Sequence, residues 1–251
     1  MPTEIAARSL AGEVALVTGA GKRIGKAIAL ELASAGANII VHVNHSQKEG
    51  LETVQEIKAA GGKAALVAAN QRDTAAVERA CDLAAEFFGP VTILVNSAAI
   101  WPKVALENTT EEDFNTAVEA NLRGPFFWAR HLGVKMKEQG RGIIVSIADV
   151  SYDRPRTDCV PYEMAKAGIV SMTYALAKAL APAVRVNCIA PGPIYFPANY
   201  SSEAAGKDVR ATLLGRRGEA HNIAHAVRFL CENDYVTGVF LPIDGGYRFG
   251  I

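Results

Sequence analysis

The chain has 251 residues, half of them apolar, with 26 basic and 26 acidic side chains. That length suits one α/β domain with a large core and would crowd two. Balanced charge without a basic run argues against a nucleic-acid partner, and no apolar run is long enough to span a bilayer.

Residues 1–12 include Glu4 and Arg8, lack the apolar stretch of a signal peptide, and are expected to form a loose N-terminal arm. Beyond them, short β-branched runs at 13–18, 38–43, 64–69, 91–96, 142–148, 184–189 and 239–243 read as buried strands. Segments of helical period lie between them at 23–35, 48–60, 74–88, 111–137, 162–181 and 219–231. This alternation predicts parallel strands with crossover helices on both faces of one sheet. Residues 191–218, rich in Gly, Pro and Ser, form the exception and are expected to be a mobile lid. Cys81, Cys159, Cys188 and Cys231 have no ligand or disulfide spacing and read as reduced thiols of a cytoplasmic protein. His221 and His225 share a helix face without a third ligand, so no metal is expected.

The first strand runs into Thr18-Gly19-Ala20-Gly21-Lys22-Arg23-Ile24-Gly25, and a helix follows at once. Glycines at such a turn let the backbone approach a pyrophosphate, which the helix N-terminus then holds. Lys22 and Arg23 oppose the helix dipole and make sense if a phosphate sits there. After the second strand the chain reads Val43-Asn44-His45-Ser46, with no acid before Glu49. A carboxylate for a ribose 2′-hydroxyl is therefore missing. Arg23, Asn44, His45 and Ser46 could instead receive a 2′-phosphate, which favours NADP(H) over NAD(H).

Tyr162 and Lys166 lie four residues apart on a helix and share one face. A nearby ammonium favours the phenolate and is expected to lower the tyrosine pKa toward the working range. Asp149 precedes Tyr162 by thirteen residues.

With the glycine turn, the Tyr162/Lys166 pair and Asn96-Ser97-Ala98-Ala99 after the fourth strand, the chain resembles the short-chain dehydrogenases/reductases over essentially its whole length. Asn121, Pro191-Gly192 and Asp244-Gly245-Gly246 extend the likeness. The resemblance implies a single domain, a doubly wound, seven-stranded Rossmann-like sheet, and a homotetramer (or a homodimer) built on the helices starting near Glu111 and Tyr162. It implies Tyr162 as general acid and Lys166 on the nicotinamide ribose. Asn121 would hold a relay water. Asn96, Ser97, Ala98, Pro191, Gly192 and Ile194 would line the cofactor cleft. Asn70 stands where relatives carry an Asp toward the adenine.

One departure sharpens the reading. Relatives that reduce carbonyls carry a serine at the Asp149 position. Asp149, together with Arg23 at the usual second glycine and Trp101 just after the strand-four motif, is similar to the pteridine reductases and dihydromonapterin reductases. A carboxylate pairs with an N–H-rich heterocycle, and an indole could stack on a flat pterin. Tyr195 and Phe196 open the lid and are expected to touch substrate. Duller readings stay open: Asp149 as a turn cap, Trp101 as a core aromatic. The function expected is reduction of a C=N bond of a pterin-like heterocycle with NADPH as cofactor and a small molecule as partner. The alternatives are a ketone or 3-oxoacyl reductase, and a non-catalytic NADP(H)-binding protein.

Overall fold

Strands whose side chains are nearly all apolar need cover on both faces. The computed structural model, which describes residues 9–196 and 200–250, provides that cover. Val14–Thr18 (β1) buries all five of its residues. It pairs in parallel with Asn38–Val43 (β2) on one side and Ile93–Asn96 (β4) on the other. Ala64–Ala68 (β3) extends the sheet beyond β2. Gly142–Ile147 (β5), Val184–Pro191 (β6) and Phe240–Ile243 (β7) extend it beyond β4. The order β3-β2-β1-β4-β5-β6-β7 is the doubly wound, seven-stranded sheet that the resemblance implies, with the parallel strands that the alternation predicts. The order of strand addition reverses between β1 and β4, with crossovers leaving on opposite faces, so a crevice opens at their carboxyl ends.

Arg23–Ser34 (α1), Gln47–Ala59 (α2) and Ala220–Glu232 (α8) bury Ile28, Leu32, Ile57, Val227 and Leu230 against one face of the sheet. Thr74–Phe88 (α3) and Gly124–Glu138 (α5) bury Val77, Cys81, Trp128, Leu132 and Met136 against the other. Val160–Leu180 (α6) carries Ile169 and Val170 into a third cluster beside β6. None of the described helices is long and apolar enough to cross a membrane.

Three expectations need correction. The helix predicted at 111–137 is Glu111–Val118 (α4), a π-helical turn at Glu119–Arg123, and α5. Pro125 has no N–H to continue the ladder, and the Asn121 amide donates to the Ala117 carbonyl at 2.9 Å, so the turn widens there. The expected lid is not all loop: Ser202–Arg210 (α7) stands in it, with the Ser201 hydroxyl capping the Ala204 N–H. Pro197 of that lid lies outside the described residues. So do residues 1–8 of the expected arm, whose continuation at Leu10 is buried in the core rather than loose.

His42 on β2 reaches from this core to the crevice. It is 1% exposed, with Nε2 3.0 Å from the Ala69 carbonyl and its ring edge-on to Trp128. Burial holds its pKa down to about 4. Unfolded histidine takes a proton near pH 6.5 while the folded one refuses it until about pH 4, so this part of the stability is lost as pH falls through that window. At about 1.4 kcal/mol per unit the loss is on the order of 3 kcal/mol. Urea unfolding between pH 6.5 and 4 should show that decline, and His42→Leu should remove it.

Candidate active site

The crevice is framed first by a hydroxyl. Thr18, the last residue of β1, accepts the backbone N–H groups of Ser97 and Ala98 at 2.9 and 3.0 Å. Gly19 follows with φ +68, and a Cβ there would stand 2.8 Å from the Ala98 Cα. At Gly25 a Cβ would collide with the Gly19 carbonyl, and at Gly21 it would crowd Val43. Only a bare backbone closes this floor. The α1 N-cap, Lys22, makes no side-chain cap and the first turn holds no acid. Its backbone N–H groups are thus left for an anion, which fits the pyrophosphate of a dinucleotide.

Both expected cations border the cleft. Lys22 also pairs at 2.6 Å with Glu49, whose carboxyl it holds below the usual range. Arg23 keeps to the cleft with φ +51, a left-handed backbone costly for a side chain with a Cβ. Ser46 starts α2 as an N-cap whose hydroxyl makes no cap bond, beside exposed Asn44 and His45. All three border the cleft near Arg23.

The cleft encloses about 760 Å³, within the range of small-molecule sites. The cradle residues, Ile24 and Asn70 line one end, and Ser97, Ala98, Pro191, Gly192 and Ile194 its middle. Asn96 and Asn121 stand behind the lining of the cleft, each held by its own hydrogen bonds. Asn96 is 3% exposed and donates from Nδ2 to the Pro125 carbonyl and the Ser146 hydroxyl, bracing β4. Asn121 is 1% exposed and spends both ends of its amide: Oδ1 accepts the Ile100 N–H at 3.0 Å, and Nδ2 donates to Ala117.

At the other end Tyr162 Oη donates to Asp149 Oδ2 at 2.7 Å. Asp149 Oδ1 accepts the Ser151 N–H at 2.9 Å, so the aspartate caps its turn and also grips the phenol. Burial first, and then the Asp149 charge, push the Tyr162 pKa well above its usual value. This is opposite to the depression expected from Lys166. The reason is geometric: Lys166 Nζ donates to the Ile147 carbonyl at 2.8 Å and stands 5.8 Å from the phenol ring centre. Burial lowers the Lys166 pKa to about 8, against the pull of Asp149.

Trp101, Tyr195 and Phe196 border the cleft. Trp101 is not an open stacking face. Lys103 and Arg156 lie 4.8 and 5.2 Å from its centroid, and its N–H reaches the Cys159 sulfur at 3.5 Å. Phe196 stacks on Tyr200 at 5.3 Å, and Tyr200 Oη donates to Asp208 on α7 at 2.6 Å. Arg156, Tyr200, Asp208 and Tyr247 line the cleft and escaped the sequence reading. They carry no periodicity or motif, because loops bring them together. Thr18 was legible as a polar residue closing an apolar strand.

His221 and His225 are separately engaged by Glu219 and Glu31. Among the described residues no group of three or more His, Cys, Asp or Glu gathers to hold a metal. All four cysteines are buried free thiols.

Arg23→Gly separates backbone from charge. Relief of about 1 kcal/mol of left-handed strain should offset the glycine's chain entropy, leaving Tm unchanged or higher. The NADPH Kd should rise about tenfold for the lost charge-assisted hydrogen bond. Calorimetric titration with a thermal melt checks both.

A family model described as enoyl-(acyl carrier protein) reductase matches residues 19–248. An uncharacterized oxidoreductase of Thermotoga maritima is 34% identical over 94% of this chain and 97% of its own length. The 3-oxoacyl-(acyl-carrier-protein) reductase of Escherichia coli is 33% identical over 94% and 97%. The crystal structure of FolM alternative dihydrofolate reductase 1 from Brucella canis, complexed with NADP, superposes with a TM-score of 0.91 at 30% identity and covers 98% of each chain. With its seven-stranded sheet, bare-backbone cradle and Tyr162/Lys166 pair, this chain belongs to the short-chain dehydrogenase/reductase family and is an oxidoreductase.

Proposed function

We propose that this oxidoreductase uses NADPH to reduce a C=N bond of a pterin-like heterocycle. The observation that carries the reading is the 2.7 Å hydrogen bond from Tyr162 to Asp149 at the end of the cleft. A carboxylate there repels a developing alkoxide but accepts from ring or exocyclic N–H groups. The NADP in the Brucella complex and that protein's description as an alternative dihydrofolate reductase support the same choice. So does the end of β2, where Asn44, His45 and Ser46 offer donors and no acid.

Bound NADPH supplies the hydride. The chain supplies position and the proton. Burial and the adjacent carboxylate keep Tyr162 protonated, so the phenol is a donor to the ring nitrogen. Asp149 orients the substrate and accepts the Tyr162 hydroxyl. Lys166, pinned by the Ile147 carbonyl, has two further N–H groups to turn toward ribose hydroxyls. Tyr195 and Phe196 shape the substrate end, with the 191–218 segment as its lid. Trp101 serves as an edge wall there, its faces approached by Lys103 and Arg156.

The free thiols fit a cytoplasmic setting. Phe114, Phe126 and Tyr174 leave apolar surface exposed on α4, α5 and α6, where further copies in a homotetramer or homodimer would cover it.

A second reading, reduction of a ketone or a 3-oxoacyl group, is favoured by the name of the Escherichia coli relative. NADPH oxidation with dihydrobiopterin, dihydromonapterin, ketones and 3-oxoacyl thioesters decides between them. Asp149→Ser should cripple turnover on the pterin reading and leave it equal or better on the carbonyl reading. Tyr162→Phe should abolish turnover while NADPH still binds; full turnover would remove Tyr162 from the mechanism.

The pair also sets a pH dependence. Reduction requires protonated Tyr162, and the Asp149 charge raises the pKa at which that proton is lost. Asp149→Asn should therefore move the alkaline limb of kcat to lower pH. A limb that stays in place would disconnect Asp149 from the tyrosine.

A further inference from the structure

The turn after β3 carries a side chain that the mechanism above leaves unused. Gln71 is 8% exposed and borders the cleft. Its Nε2 donates to the Ala120 carbonyl at 2.6 Å and to the Ala98 carbonyl at 3.2 Å. These carbonyls belong to two different walls. Ala98 follows β4 and touches the cradle glycine, while Ala120 lies in the π-helical turn directly before Asn121. Asn121 closes the frame by accepting the Ile100 N–H.

The packing leaves little freedom here. A Cβ on Gly124, which ends the π turn, would come within 2.8 Å of the Gln71 carbonyl and 2.9 Å of its Cγ. Next along the chain, Arg72 holds Glu119 of the same π turn at 2.8 Å. Gln71 Oε1 is buried without a hydrogen-bond partner. An apolar side chain of that length would spare this orphan acceptor but take the donor from the buried Ala120 carbonyl and the half-buried Ala98 carbonyl.

We propose that Gln71 is a positioning residue for the reaction. Its amide locks the loop after β4 to the π turn, and so sets the Ala98–Ile100 wall and Asn121 relative to the Tyr162 and Lys166 face. Because Asn70 lies beside it on the cleft, the same strut ties the end next to the cradle to the catalytic end. The inference rests on the reading that hydride and proton transfer occur in this cleft, but not on a pterin as substrate.

The test compares Gln71→Leu and Gln71→Glu with wild type, using NADPH and dihydrobiopterin, or a ketone if the wild type accepts only carbonyls. Gln71→Leu should lower kcat about tenfold or more, since misplacement near 1 Å costs rate steeply, with the KM for NADPH within about threefold. Gln71→Glu should be worse near neutrality, where a carboxylate faces two carbonyls. It should recover toward acidic pH, because a protonated acid regains one O–H donor. Thermal melts with and without NADPH report folding and binding independently of turnover. Wild-type kcat in Gln71→Leu would overturn the proposal, as would equal kcat in the two variants with no acid recovery. If Gln71→Leu does not fold, the pH profile of Gln71→Glu alone decides. Failure of the pterin reading would show instead in the wild type, as turnover confined to carbonyls.

Discussion

Two parallel strands whose crossovers leave on opposite faces must part at their carboxyl ends, and the functional architecture of this chain is arranged around the gap between β1 and β4. Thr18 fastens the two lips by accepting two N–H groups from the β4 side. Gly19 and Gly25 then let the turn and the helix lie against those lips without a Cβ between them. The N-terminus of α1 is left uncapped toward the gap. The anion site is thus a consequence of the sheet order, with glycine allowing the backbone close enough to exploit it.

The chemistry at the other end is governed by burial. Removing Tyr162 and Lys166 from water disfavours the charged form of each, so the phenol pKa rises and the ammonium pKa falls. Asp149 counters this for the lysine and reinforces it for the tyrosine. The result is a phenol held toward its protonated form and donating to a carboxylate. The lysine is engaged with the Ile147 carbonyl.

One wall of the cleft is held by mixed polar and aromatic contacts. Arg156 reaches Tyr200 Oη at 2.8 Å, while Tyr200 and Tyr247 both donate to Asp208 on α7. This links the β5–α6 loop, the segment after β6 and the C-terminal turn into one wall. Partly exposed rings and paired charges make a boundary that can be polar and planar at once.

Composition and periodicity were enough for the seven strands, the flanking helices and the glycine cradle, because local geometry follows from side-chain period and from the backbone freedom of glycine. The spacing of Asp149, Tyr162 and Lys166 also placed those residues in one site. The break in the helix at Glu119–Arg123 was not legible, since Asn121 and Pro125 act through a carbonyl ladder that exists only once the helix has formed. Nor was the pairing of Lys22 with Glu49, the burial of Asn96 and Asn121, or the arrival of Arg156, Tyr200 and Asp208 at the cleft. Each depends on which segments the sheet order brings side by side, and in a parallel sheet with long crossovers those segments lie far apart in the chain. The sequence by itself determined which chemical groups were available. Only the tertiary structure decided which of them face the cleft and with what charge, because burial and pairing are properties of the assembled packing.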